Sequence, residues 1–301
     1  MANSAQTGLG QQMAAPPKKE RIDSPWRQAA RRFPRNRLAV VGLGILMFIA
    51  IIALLTPWIA PYKFDAIDLY NVESPPGNGH VIGTDELGRD ALTRLMYGSR
   101  VSLSVGILST ALALVIGLTL GALAGFYGGW VDNVIMRFVD IMLSFPTLFL
   151  LIILAAYFHM SVFGVIAIIG LTGWMGAARL VRAEFLALKE KEFAEAARAL
   201  GVKDHRVIFK HLLPNAMSPV IVWATLEIGY AIIYESSLSF LGVGIQPPTA
   251  SWGNMLTNAQ QYIWSAPWLA IWPGVMIFIT VLAVNWVGDG LRDALDPRLK
   301  H

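Results

Sequence analysis

The stretch LAVVGLGILMFIAIIALLTPWIA, residues 38–60, runs for 23 residues without a charged side chain. A bilayer core of about 30 Å is crossed by roughly 20 apolar helical residues, so this stretch predicts one membrane-spanning helix. Five further apolar runs of similar length follow, at residues 101–124, 141–158, 161–178, 219–241 and 267–287. The sequence therefore predicts an all-α integral membrane protein with six transmembrane helices.

The third and fourth runs form one apolar block, which we divide at His159, Met160 and Ser161 because they are the only polar interruption available for a tight turn.

The composition supports a membrane protein and excludes several kinds of site. Hydrophobic residues make up 55% of the chain and charged residues 15%, which is more apolar surface than a water-soluble fold of this size could bury. The chain has no cysteine, so it contains neither disulfides nor thiolate metal sites. Its five histidines are scattered and form no metal-ligand motif, and we expect no metal site.

Lysine and arginine are distributed unequally over the segments that connect six spans. The two termini and the connections 125–137 and 179–218 carry 20 of the 24 basic residues. Because cytoplasmic segments of membrane proteins carry the basic excess, both termini are expected in the cytoplasm. This distribution also explains the formal charge of +4 without a nucleic-acid partner.

These features divide the chain into four parts. Residues 1–37 are a cytoplasmic tail, 38–97 hold the first span and an outer loop, 98–289 form the main membrane domain, and 290–301 are a second cytoplasmic tail. In the outer loop, Thr84 or Asp85 is expected to cap a short helix at the membrane interface, although a substrate contact is the alternative. Residues 242–266 are rich in glycine and proline, which predicts a loop packed on the outer mouth.

The connection 179–218 is the most highly charged part of the membrane domain. Apolar residues recur at helical spacing up to Leu200, Gly201 predicts a helix end, and Asp204 can cap a second helix that Pro214 ends. Ala196 and Ala197 are expected to form a flat surface for another backbone. An interfacial helix pair on lipid is one interpretation, and docking on a soluble protein is the other.

The motif EAARALG at 195–201, followed by HLLP at 211–214, resembles the Glu-Ala-Ala loop of binding-protein-dependent ABC importer permeases. The match covers Glu195, Ala196, Ala197, Gly201 and the Leu-Pro pair at 213–214, whereas His211 stands where that pattern has Ile. Four further segments, at 83–106, 125–146, 237–256 and 288–300, resemble the C-type permease subunit of dipeptide and oligopeptide importers.

This resemblance implies a type I ABC importer transmembrane domain in a bacterial inner membrane. It implies four partners besides the lipid bilayer: a homologous second permease, two ATP-binding subunits and an extracytoplasmic substrate-binding protein. The chain has no Gly-x-x-x-x-Gly-Lys-Ser/Thr loop, so ATP and Mg²⁺ are expected on the partner ATPases and no enzyme activity is expected here. The residues implied to couple to an ATPase are Glu195, Ala196, Ala197, Leu200, Gly201, Val202 and Asp204.

Two carboxylates lie within the fifth run, where ionisable groups are costly and often functional. Glu235 could face the pathway and contact a peptide amine, or it could hydrogen-bond a neighbouring helix; Glu227 is a second pathway candidate. Nickel and glutathione importers belong to the family that the sequence resembles, so nickel and glutathione are alternative substrates. An ion-coupled transporter is a more distant alternative, since we find neither inverted repeats nor paired intramembrane charges.

Overall fold

The computed structural model describes residues 25–77, 79–158 and 161–295 of the 301-residue chain. Regular secondary structure in these ranges is helical, which confirms the predicted all-α fold. The helices are α1 Pro25–Arg32, α2 Arg37–Ile59, α3 Ala91–Tyr127, α4 Gly129–Leu143, α5 Thr147–Tyr157, α6 Val162–Leu188, α7 Glu192–Ala199, α8 Asp204–Arg206, α9 Leu213–Phe240, α10 Trp252–Ala259 and α11 Trp268–Leu295.

Six membrane crossings can be built from these helices. Helices α2, α3, α6 and α11, together with the continuous helix from Asp204 to Phe240, are each long and apolar enough to span a bilayer. The sixth crossing is the pair α4 and α5, whose axes differ by 83°. Five of the six predicted runs lie within one residue of the bounds of a helix that could span a bilayer, and the third run overlaps the bent pair.

The third predicted run, 141–158, is not one continuous helix. Helix α4 starts before the run, and the chain bends after Leu143 and resumes as α5 at Thr147. Pro146 has no N–H to donate and disfavours helical geometry at Phe145, which explains the break. Hydropathy alone did not reveal it, because every residue in the bend is uncharged.

The predicted interfacial helix at Thr84 or Asp85 is wrong. Helix α3 begins at Ala91 and continues for 37 residues into the membrane. Asp90 caps it, since its Oδ2 accepts a hydrogen bond from the Thr93 N–H at 2.8 Å. Asp85 instead closes a turn, where its Oδ1 accepts from the N–H groups of Leu87 at 3.0 Å and Arg89 at 2.9 Å.

The second outer segment, 242–266, is only partly a loop. Residues 241–251 are irregular as expected, but α10 follows at Trp252. A capping box explains this helix, because the Ser251 side chain accepts from the Asn254 N–H and the Asn254 side chain accepts from the Ser251 N–H. The segment packs against α3 through Trp252, which is fully buried and whose indole N–H donates to the Leu95 carbonyl at 3.4 Å.

The described parts of both predicted tails are largely helical. Asn36 caps α2 by accepting a hydrogen bond from the Ala39 N–H, and its amide donates to Asp293 near the end of α11 at 3.3 Å. The predicted limits at 97/98 and 289/290 thus fall inside helices α3 and α11. Residues 1–24 and 296–301 of the tails, and the predicted division at His159 and Met160, lie outside the described residues.

Helices α3 and α6 form the centre of the bundle and approach closely along a stripe of glycines. A Cβ added to Gly121 would lie 2.5 Å from the Ala178 carbonyl oxygen, and one added to Gly125 would lie 2.8 Å from that of Arg182. Small residues at four-residue spacing allow this backbone approach, which favours helix association in a bilayer. The stripe fixes the helix that leads into the charged connection.

Candidate functional site

Helix α7 is separated from α6 by a short break at Lys189–Lys191. Ala194 and Ala197 on its inner face are buried against Phe185 and Leu212. The Arg198 guanidinium also lies over the Phe126 ring, 5.2 Å from its centroid. These contacts hold α7 against the ends of α3, α6 and α9 that lie on its side of the bundle.

The two alanines do not form one flat surface, and that expectation is wrong. Ala197 is buried within the protein's own core, whereas Ala196 is exposed. Successive residues in a helix point about 100° apart, so adjacent alanines cannot both face a partner. Glu195 is exposed beside Ala196 and lies in the first turn of α7, where a negative charge complements the helix dipole.

Gly201 makes the bend that the sequence predicted. The Gly201 N–H donates to the Arg198 carbonyl at 2.9 Å and the Val202 N–H donates to the Ala197 carbonyl at 3.1 Å. This pair of bonds is a Schellman motif, and it requires the left-handed conformation that Gly201 adopts, with φ of +73°. Val202 then packs against the buried cluster beneath α7.

Asp204 does not cap the second helix as expected. It is the first residue of α8, Lys203 occupies the capping position, and no side chain bonds the free N–H groups there. Asp204 is exposed and places its charge in the first helical turn. Its position after the bend is as predicted, while its hydrogen-bonding role is not.

Pro214 does not end this helix either. The chain passes through a π-helical turn, Val207–Leu212, in which the Leu213 N–H donates to the Ile208 carbonyl five residues back. That wider turn admits the proline near the start of α9. The side-chain amide of Asn215 donates to the His211 carbonyl at 2.6 Å. His211 thus has a backbone role in the turn.

Three large apolar side chains remain exposed around the bend. They are Phe193, Leu200 and Phe209, with exposed fractions of 40%, 83% and 68%. We call residues 192–209, which run from the start of α7 through the Gly201 bend to Phe209, the coupling hairpin, after the ATPase coupling that the sequence motif implies. Its inner face is fixed to the bundle and its outer face presents these apolar side chains among charges, so it can dock on another surface.

The two carboxylates of α9 have different surroundings. Glu235 is fully buried, and its carboxylate accepts from the Ser102 hydroxyl at 3.0 Å and the Ser239 hydroxyl at 2.8 Å. These hydrogen bonds fit the alternative in which Glu235 bonds a neighbouring helix, because they join α9 to α3 and to the next turn of α9 itself. Glu227 is only half-buried and borders a cavity of about 220 Å³ between α6, α9 and the start of α5.

In the described part of the chain, no group of three or more His, Cys, Asp or Glu side chains could hold a metal ion.

Residues 117–301 match the family model described as "Binding-protein-dependent transport system inner membrane component". The chain belongs to this family of transport permeases. Residues 24–76 also match the "N-terminal TM domain of oligopeptide transport permease C". The permease is therefore an inner-membrane protein, and the resemblance found in its motifs is confirmed.

Similar permeases extend along nearly the whole chain. The dipeptide transport system permease protein DppC of Alkalihalophilus pseudofirmus is 44% identical over 92% of this chain and 91% of its own. The oligopeptide permease OppC of Haemophilus influenzae is 43% identical over 91% and 89%, respectively. The glutathione permease GsiD of Pectobacterium atrosepticum is 42% identical over 93% of both chains.

A solved structure of the MetNI methionine ABC transporter in an inward-facing conformation shares the permease fold. It aligns with a TM-score of 0.55 and 21% identity over 67% of this chain and 96% of that one. This similarity confirms the type I importer fold.

Sequence reasoning missed two features of the permease. One is the 68% exposure of the large apolar side chain of Phe209. The other is the polar lining around Glu227, which Trp223, Tyr230 and Tyr234 share. Their positions, at spacings of four, three and four residues, place them on one helix face and could have indicated it.

Proposed function

We propose that this permease forms half of a translocation pathway through which an ATP-driven importer moves dipeptides or oligopeptides. The names of the similar DppC and OppC permeases support peptides as the substrate class. The GsiD relative keeps glutathione, itself a small peptide, as the second candidate. A homologous second permease completes the pathway, and an extracytoplasmic binding protein delivers the substrate.

The coupling hairpin carries this proposal. Burying the exposed side chains of Phe193, Leu200 and Phe209 in a partner would contribute about 1.5–3 kcal/mol each, before the cost of association. The hairpin's charges are of both signs, which weakens attraction to an anionic lipid surface and suits a protein cleft. Two ATP-binding subunits, one for each permease, are the proposed partners, and ATP and Mg²⁺ bind there.

The rigid attachment of the hairpin suggests how ATP would act on the membrane helices. Because Ala194 and Ala197 are packed against the ends of the spanning helices, a displacement of α7 is transmitted to the bundle. Closure of the ATPases is then a rigid-body movement that shifts the pathway between two states. The basic excess on the same side supports a cytoplasmic location for the hairpin and both termini.

Retention of the ATPase on purified permease tests the proposal. Leu200→Glu puts a charge on the exposed face without altering the buried core, so we expect the co-purified ATPase to fall at least about tenfold, a loss of about 1.4 kcal/mol. Leu69→Glu is the matched control, since Leu69 is also exposed but lies in the outer loop. Equal retention by both variants would remove the hairpin from the interface.

A further inference from the structure

The cavity beside Glu227 lies next to the midpoint of α9, at the depth expected for the middle of a membrane. Glu227 is near the midpoint of the 28-residue helix α9. The polar and aromatic side chains that share the cavity come from three helices, and they are Thr147, Thr172, Trp223, Tyr230 and Tyr234. A carboxylate at this depth is costly and needs a compensating role.

Two glycines of α6 make room for the side chains that reach the cavity. A Cβ added to Gly173 would lie 3.0 Å from Glu227 Oε1, and one added to Gly176 would lie 3.1 Å from Trp223 Nε1. Larger residues at either position would crowd the carboxylate or the indole. The helix packing therefore accommodates both groups where they border the open space.

This cavity does not suit a lipid-facing surface. The bend that separates α4 from α5 lies at its edge, where Leu143 and Thr147 contribute to the lining. Irregular backbone at membrane depth occurs where it is covered by protein or lines a water-filled space, and the same holds for a carboxylate. By contrast, a groove of about 610 Å³ between α2, α3 and α11 is lined almost wholly by apolar side chains and suits lipid.

The Glu227 carboxylate has no hydrogen-bond or ion-pair partner among the described residues. Of the residues that the structure describes, no lysine or arginine borders the cavity, although the rings of Trp223, Tyr230 and Tyr234 do. A carboxylate beside aromatic faces attracts an ammonium group through a charge-assisted hydrogen bond and through cation–π contacts. The same arrangement repels a carboxylate.

We propose that the Glu227 cavity is a transit subsite for the protonated amino group of the transported peptide. This inference rests on the proposed function, because the ligand is a peptide in passage. The aromatic rings tolerate varied side chains, while Glu227 selects the one positive group that every unmodified peptide carries. The subsite would lie on the wall that faces the second permease.

Thiol labelling of the assembled transporter tests the access and charge of this cavity. The chain has no cysteine, so Tyr230→Cys, at a position with an exposed fraction of 57%, gives a single reactive thiol in this subunit. We expect a cationic methanethiosulfonate to label it on the order of tenfold faster than an anionic one, normalised to Leu69→Cys in the outer loop. Adding Glu227→Gln should remove most of that preference.

Either of two labelling results would overturn the subsite. One is protection from both water-soluble reagents in every nucleotide state, which places Tyr230 against lipid or a closed interface. The other is a charge preference that survives Glu227→Gln, which means that another group creates it.

Peptide uptake by proteoliposomes that hold the complete transporter and its binding protein tests selection. Glu227→Gln should lower the uptake rate of a free-amine peptide by about tenfold, because one charge-assisted bond is lost, while ATPase retention stays unchanged. Glu227→Asp should keep part of the rate. Asp65→Asn, which removes an exposed outer-loop charge, is the control expected near the wild-type rate.

The outcomes separate this inference from the proposed function. Wild-type uptake by Glu227→Gln vesicles overturns the subsite and leaves peptide import intact. Failure of the complete wild-type transporter to import any peptide overturns peptide import, and the subsite with it.

Discussion

Replacing Gly201 tests whether the geometry of the bend couples ATP hydrolysis to transport. An added Cβ at Gly201 meets no atom within 4 Å, so the effect of a substitution comes from the backbone alone. The φ of +73° costs an ordinary L-residue about 1–2 kcal/mol, and β-branched valine is among the least suited. An energy of this size lowers the population of the native bend, relative to other conformations, by about 5–30-fold.

We expect Gly201→Val to lower the number of peptides imported per ATP by a similar factor, about 5–30-fold. Gly201→Asn is the matched control at the same position, because asparagine tolerates the left-handed conformation and should remain close to wild type. The assay is simultaneous measurement of peptide uptake and phosphate release in proteoliposomes. Wild-type coupling in Gly201→Val, with the variant fully inserted and assembled, would refute the reasoning.

Three further predictions concern the bundle and its orientation. Replacing Glu235 with leucine leaves two buried serine hydroxyls without their acceptor and should cost about 1–3 kcal/mol, seen as a lower melting temperature in detergent; an unchanged value would contradict its structural role. Gly121→Val forces α3 and α6 apart and should destabilise by about 1–3 kcal/mol, whereas Gly44→Val, at an open site, should not. In intact cells an impermeant maleimide should label Leu69→Cys and spare Ala196→Cys, and the reverse pattern would invert the proposed orientation.

The sequence predicted the spanning helices well where an uncharged run and a helix coincide. Helix α2, Arg37–Ile59, differs by one residue at each end from the predicted run 38–60. Hydrophobicity decides such a helix, because a bilayer leaves no other way to satisfy the backbone. Hydrophobicity could not locate the bend before Pro146, because that bend arises from the missing proline N–H within an apolar run.

The sequence predicted the position of the coupling hairpin, but it did not predict which of its side chains are buried and which are exposed. A glycine ends a helix through its own backbone preference, so the bend at Gly201 could be predicted from the sequence. Which of Ala196 and Ala197 is exposed depends on how α7 docks against α6 and α9, a tertiary contact that spacing does not contain. The Glu227 cavity likewise needs α5, α6 and α9 together, although one face of α9 carries the pattern.

A photo-crosslinking residue at Leu200 tests the central claim most directly. The side chain is 83% exposed at the tip of the coupling hairpin, so the probe lies within reach of whatever covers that surface. Irradiation of membranes that contain the complete transporter is expected to join this permease to an ATP-binding subunit, with a yield that changes when ATP is added. Adducts formed only with lipid, regardless of nucleotide, would contradict the account.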